Sequence, residues 1–260
     1  MFDRDEDYTQ NSFFAARTST LRACCTVVSV ILGMAGTASG GSAPHHPSYD
    51  SVALIQRAAA DDSTVALITG LLGIERDLLL GQLFLQGGMI SAEGSHFTHP
   101  RRDNFPSIKD GLEEAGVPDL EPLLIALEAA GTQEEVNAAY LGVLGAVQKA
   151  KQTLKPSDED VLSAVVRTAE DAATMLDPSG TTDLVAYQEC WGLLMVARGQ
   201  LDTLMRSSDP LTKKSAEKMA LAFDEVVLDL PDPGAGAAVE IEPTTVLALI
   251  DTLKNESAMN

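Results

Sequence analysis

From residue 51 onward, apolar residues recur at intervals of three and four, with polar positions between them. This is the spacing of helices that each bury one face. The pattern predicts a short helix over 51–60 and a long one over 63–86, the latter stopped by Gly87 and Gly88. A loop broken by Gly and Pro, 89–106, separates these from short helices over 107–115 and 119–130, the first closed by Gly116. Thr132 and Glu135 form a capping box for a helix reaching Leu154. Ser157 caps the next, whose Val161, Val165, Ala169, Ala172 and Leu176 keep helical spacing. The stretch 177–180, DPSG, turns the chain into a long and largely apolar helix over 182–206. Asp209 followed by Pro210 opens another, to about Leu228. A Gly- and Pro-rich linker over 231–238 and a helix over 243–254 follow.

Only 226–230 and 239–241 carry strand character, and both are short. No internal repeat is evident. The expectation is an all-α fold, an antiparallel helical bundle with short accessory helices, in a single domain over 51–256. Composition agrees with it, since aromatics make up 5% of the 260 residues while the helix formers Ala and Leu are abundant.

The leading segment reads as a signal peptide over 1–38. Arg17 and Arg22 precede an apolar run, 24–34, of the length of a signal core and short for a membrane span, and Gly36, Thr37 and Ala38 supply small residues for cleavage. Asp3, Asp5, Glu6 and Asp7 depart from the usual basic leader. Residues 39–50 read as a flexible tail. These features predict a periplasmic or secreted protein with no membrane span after cleavage. Cys24 and Cys25 leave with the signal, so Cys190 stays without a disulfide partner and reads as a small buried hydrophobe.

The formal net charge is −20. Such a surface repels nucleic acid and anionic lipid and attracts cations or basic partners.

Candidate chemistry gathers in two places. On a helical wheel of the segment 63–86, Leu67, Leu71, Ile74, Leu78 and Leu85 fill one arc, and Ile68, Leu72, Leu79 and Leu83 the adjoining one. Glu75, Gln82 and Gln86 project between these arcs, while Thr69, Gly73 and Arg76 lie on the outer side. A carboxylate on an apolar surface needs an ion pair, hydrogen bonds or a cation, so Glu75 is either paired, for instance with Arg198, or a metal ligand. Gly70, Gly73 and Gly81 share the opposite arc with Asp77, which reads as room for a close helix contact.

The second place is the loop GSHFTHPRRDNFP, 94–106, which holds two of the four histidines. His96 and His99, with Glu93 and Asp103 near in sequence, are imidazole and carboxylate donors suited to first-row transition metals. Two ligands alone make no site, because three or four are needed. Arg101 and Arg102 open a further option, a small anionic organic ligand. His45 and His46 in the tail read at most as an accessory binder. Glu189 and Gln200 fall on one side of the second long helix and Tyr187 and Trp191 on the other, the aromatic pair as core.

Nothing marks an enzyme. There is no nucleophile elbow, phosphate loop or dinucleotide fingerprint, and Cys190 has no histidine near it in sequence.

Two segments carry a family resemblance, LLGIERDLLLGQLFLQGG followed by HFTHP, and EDAATMLDPSGTTDLVAYQECWGLL. The first is similar to exported helical proteins that pair a helix with a histidine loop. The second resembles the extracytoplasmic helical domain attached to oxidase-dependent iron permeases and, distantly, imelysin-like bundles, through Asp171, Gly180, Tyr187 and Glu189. The chain lacks the imelysin Gly-x-His-x-x-Glu and the permease Arg-Glu-Gly-x-Glu motifs. The resemblance implies metal roles for Glu75, His96 and Glu189.

The functional expectation is an exported, non-catalytic helical bundle that binds a metal cation, iron or copper first, through Glu75, His96, His99 and Glu189. The alternative is an envelope protein-interaction module that uses its acidic surface and no metal.

Overall fold

The computed structural model describes residues 50–87, 96–234 and 238–259, with side chains from Ser63 onward. The segment expected to be a signal peptide, with Cys24 and Cys25, the histidine pair at 45–46 and Glu93 lie outside the described residues. The fold is all-α.

The organising element is α1 (Asp50–Gln86), one continuous helix where the sequence suggested two. No Gly or Pro interrupts 61–63, and Asp, Asp and Ser there lower helix propensity without breaking a helix. From Leu71 to Leu78 every residue is buried. A helix covered on all sides is the central one, so the arc read as outer, with Gly73 and Arg76, is interior too.

Two apolar clusters meet on this helix. Leu67, Ile68, Leu71, Leu72, Ile74 and Leu78 pack with α2 (Phe105–Glu114), α3 (Glu121–Glu128) and α4 (Gln133–Leu154). Leu80 joins the other cluster, built by α5 (Asp158–Thr174), α6 (Leu184–Leu204), α7 (Pro210–Asp229) and α8 (Pro243–Ser257). Between α1 and α2 the chain forms a 3-10 turn (His96–Thr98) and one π-helical turn (Pro100–Asn104).

The caps fall where short polar side chains predict them. Thr132 and Ser157 form capping boxes with Glu135 and Asp160, and Asp209 accepts from the Thr212 amide at 2.8 Å. Such caps each contribute about 1 kcal/mol. Gly116 ends α2 with φ 74°, a conformation that favours glycine.

A two-stranded antiparallel ribbon pairs β1 (Thr181–Thr182) with β2 (Val239–Glu240), Thr182 opposite Val239. The weak strand signal at 239–241 is therefore real, and it moves the start of α6 to a cap at Asp183. The other strand candidate, 226–230, is a correction. It continues α7, because Val226 and Val227 extend the helical stripe of Met219 and Phe223 onto the core. Among the described residues, no helix is long and apolar enough to cross a membrane.

Candidate metal centre

Gly73 and Gly81 admit the histidine segment to the side of α1. A Cβ at Gly73 would lie 2.6 Å from Asn104 Oδ1, and one at Gly81 would lie 2.5 Å from the Phe97 ring. Gly70 meets Ile108 of α2 in the same way. Any larger residue at these three positions would push residues 96–108 off the helix.

Asp77 shares this face and is fully buried. Its Oδ1 accepts from Arg76 Nε at 2.9 Å and Nη2 at 2.7 Å, and its Oδ2 accepts from Asn104 Nδ2 at 2.6 Å. His96 and His99 are set above it. Each of the three residues offers a donor atom, and these atoms lie within 4.8 Å of one another. The His96 ring stacks on Phe84, with centroids 5.5 Å apart and planes at 8°, and meets the His99 ring edge-on at 4.8 Å. Both imidazoles keep a buried Nδ1 without a hydrogen-bond partner. His96 Nδ1 is 3.9 Å from Asp77 Oδ1, too far for a hydrogen bond.

Burial dominates the electrostatics. It pushes the Asp77 carboxyl up to about 7 against the pull of Arg76, with Glu189 and Asp103 adding to the rise. Burial, then the neighbouring His99 and Arg76, push His96 down to about 4, opposed by a hydrogen bond with Gln188. Burial also lowers His99. Near neutral pH the rings are therefore uncharged, in the state that can donate a lone pair to a metal.

The other expected ligands are placed differently. Glu75 does not join the histidines, which corrects that expectation. It is two residues from Asp77, about 200° around the helix, and so faces away from the histidine segment. There Lys151 Nζ donates to its Oε2 at 2.9 Å and Gln148 Nε2 donates to its Oε1 at 2.6 Å. Gln200 Oε1 accepts from the same Lys151 at 3.1 Å. Glu75 is thus the paired carboxylate of a buried network, with Lys151 rather than Arg198 as its partner. Arg198 instead binds Asp202 and Asp224. Glu189 of α6 stands beside the cluster, its Oε2 3.9 Å from Arg76 Nη1.

Arg101 pairs with Glu128 and Arg102 with the adjacent Asp103, both at the surface. Tyr187, Trp191 and Cys190 are core, and burial pushes the Cys190 thiol up to about 12. Asp77 is the member of the cluster that the sequence pattern did not single out as a candidate ligand. Its signal was present, as the only acid on an arc of three glycines, but that arc was assigned to helix packing alone.

Two imidazoles and a carboxylate are a donor set for first-row divalent metals. Ligand–metal distances of about 2.0–2.2 Å put donor atoms roughly 3.3 Å apart around a tetrahedral ion, within reach of small rotations here. Comparison of the chain with known protein families, with curated proteins and with solved structures finds no match.

Proposed function

We propose that this protein is a non-catalytic helical bundle that holds a divalent transition-metal ion, iron or copper first, between α1 and the histidine segment. Its ligands are Asp77, His96 and His99, and the leading apolar run suggests that it does so in an exported chain.

One observation carries the reading: two imidazoles, each with a buried Nδ1 that has no partner, stand with a buried carboxylate so that one donor atom of each lies within 4.8 Å of the others. A buried polar atom left unpaired costs about 1–3 kcal/mol, and coordination would satisfy both nitrogens at once. Arg76 and Asn104 already orient the carboxylate, as outer-shell groups do for metal ligands. Arg76 opposes a cation electrostatically, and Asp77 together with Glu189 offsets it.

The test is uptake. Purified protein is incubated with Cu(II), Zn(II) or Fe(II), desalted and assayed for bound metal. The reading expects about one ion per chain, lost in the double variant His96→Ala/His99→Ala and retained in Glu75→Gln. Absence of bound metal together with an unchanged melting curve overturns it.

A further inference from the structure

The cluster already holds one cation, the buried guanidinium of Arg76. Its Nε and Nη2 both donate to Oδ1 of Asp77, at 2.9 and 2.7 Å. The same oxygen lies 3.9 Å from His96 Nδ1. A carboxylate has about four lone-pair sites, two on each oxygen. The guanidinium fills both sites on Oδ1, and Asn104 Nδ2 takes one on Oδ2. An ion shared by Oδ1 and the His96 ring therefore needs a lone pair that Arg76 holds. Helix α6 offers Arg76 a second seat. Nη1, the remaining guanidinium nitrogen, is 3.9 Å from Glu189 Oε2, about 1 Å longer than a charge-assisted hydrogen bond. Gly192 follows Glu189 by three residues and so shares its side of α6. A Cβ there would lie 2.8 Å from Arg76 Cγ, so the glycine makes room for the arginine stem. The side chain is seated between two carboxylates, bonded to one and just short of the other.

We propose that Arg76 is the resident counter-ion of the site, which an arriving metal ion displaces from Asp77 Oδ1 into an ion pair with Glu189. The inference rests on the metal reading above. Without metal, the guanidinium keeps the buried carboxylate paired, so the fold carries no isolated buried charge. With an ion on Oδ1, repulsion between the two cations drives the guanidinium off, and a movement of about 1 Å gives it Glu189. Asn104 keeps its hold on Oδ2, so the carboxylate stays oriented. Glu189 acts on binding through Arg76 and not as a ligand. Occupation of the site and formation of the Arg76–Glu189 pair are one event.

Two measurements with Zn(II) test it. The first is the crystal structure of the wild-type chain loaded with zinc. Arg76 is expected to have given up at least one bond to Oδ1 and to donate to Glu189 at about 2.7–2.9 Å. The second is zinc affinity by calorimetry in wild type, Glu189→Gln, Arg76→Met and the double variant, read as a cycle. Glu189→Gln is expected to weaken binding by less than about tenfold when Arg76 is present, and to have no effect in the Arg76→Met background. Arg76→Met leaves a buried carboxylate unpaired, so if that variant fails to fold, the zinc-bound wild-type structure decides. Zinc on Asp77, His96 and His99 with both Arg76 bonds to Oδ1 intact, a direct bond from zinc to Glu189, or an equal effect of Glu189→Gln with and without Arg76 overturns the proposal and leaves the metal reading standing. A chain that takes up no zinc, copper or iron removes both.

Discussion

Asn104 donates its amide to the buried Asp77 carboxylate at 2.6 Å through the gap that Gly73 leaves on α1. This one contact joins the two features on which the site depends, a helix face stripped of side chains and a turn that brings polar groups down onto it.

Filling the gap should therefore break the site. Alanine is the better helix former by about 1 kcal/mol, so Gly73→Ala on an ordinary helix would stabilise. Here the added Cβ would meet Asn104 Oδ1 at 2.6 Å, and the overpacking cost of about 1–3 kcal/mol should win. Urea unfolding is expected to show a net loss of stability for Gly73→Ala and for Gly81→Ala, whose Cβ would meet Phe97. A gain in either would show that the close approach is not what the glycine supports.

The Glu75 network makes an independent prediction. Glu75 is 7% exposed, and the Lys151 side chain that pairs with it is 13% exposed. Removing one member of such a pair leaves the other charge stranded, so Glu75→Ala should cost about 3–5 kcal/mol. The double variant Glu75→Leu/Lys151→Met should recover much of that loss, because an apolar pair of similar volume needs no desolvation. Metal uptake should be unaffected by the double variant. Its loss there would return Glu75 to the site.

Stability against pH in the metal-free protein separates Asp77 from His96. Asp77 holds its proton up to about 7 when folded and loses it near 3.8 when unfolded, so its contribution falls as pH rises through that window. His96 titrates near 4 when folded and near 6.5 when unfolded, so its contribution rises with pH between those values. Each slope is about 1.4 kcal/mol per pH unit, and the two oppose. The lowered His99 adds to the rising side. His96→Phe keeps a ring against Phe84 and removes the His96 contribution, so its stability relative to wild type should fall as pH rises from about 4 to 6.5. Asp77→Asn should do the reverse, gaining on wild type as pH rises toward 7. Denaturant unfolding at stepped pH checks both signs.

Metal should raise the melting temperature with the logarithm of its free concentration once that exceeds the Kd. At a free ion concentration 100 times the Kd the gain is about 2.7 kcal/mol, or roughly 5–10 °C for a chain of this size. His99→Ala should abolish the shift. Glu189→Gln, which removes only a partly exposed charge beside Arg76, should weaken binding by less than about tenfold, and salt should reduce that difference. A Glu189 variant as damaging as His99→Ala would make Glu189 a ligand.

What the sequence determined by itself is local. Capping pairs such as Thr132 with Glu135 and Ser157 with Asp160 act within one turn, and the 3.6-residue stripes mark which faces seek a core. The capped helix starts at Thr132, Ser157 and Asp209, the turns at Gly116 and Gly180 and the all-α class could therefore be read before any contact was known. The histidines were visible too, as rare residues in a broken loop. The tertiary structure alone decided which acid they meet. Glu75 and Asp77 are two positions apart on a helix buried on every side, so its own periodicity gave neither a solvent face nor a preferred partner. Packing supplied both choices. Lys151 and Gln148 of α4 took Glu75, while the glycine arc let residues 96–104 settle against Asp77. A wheel reports directions from one axis, whereas a site depends on what the neighbouring elements bring to each direction.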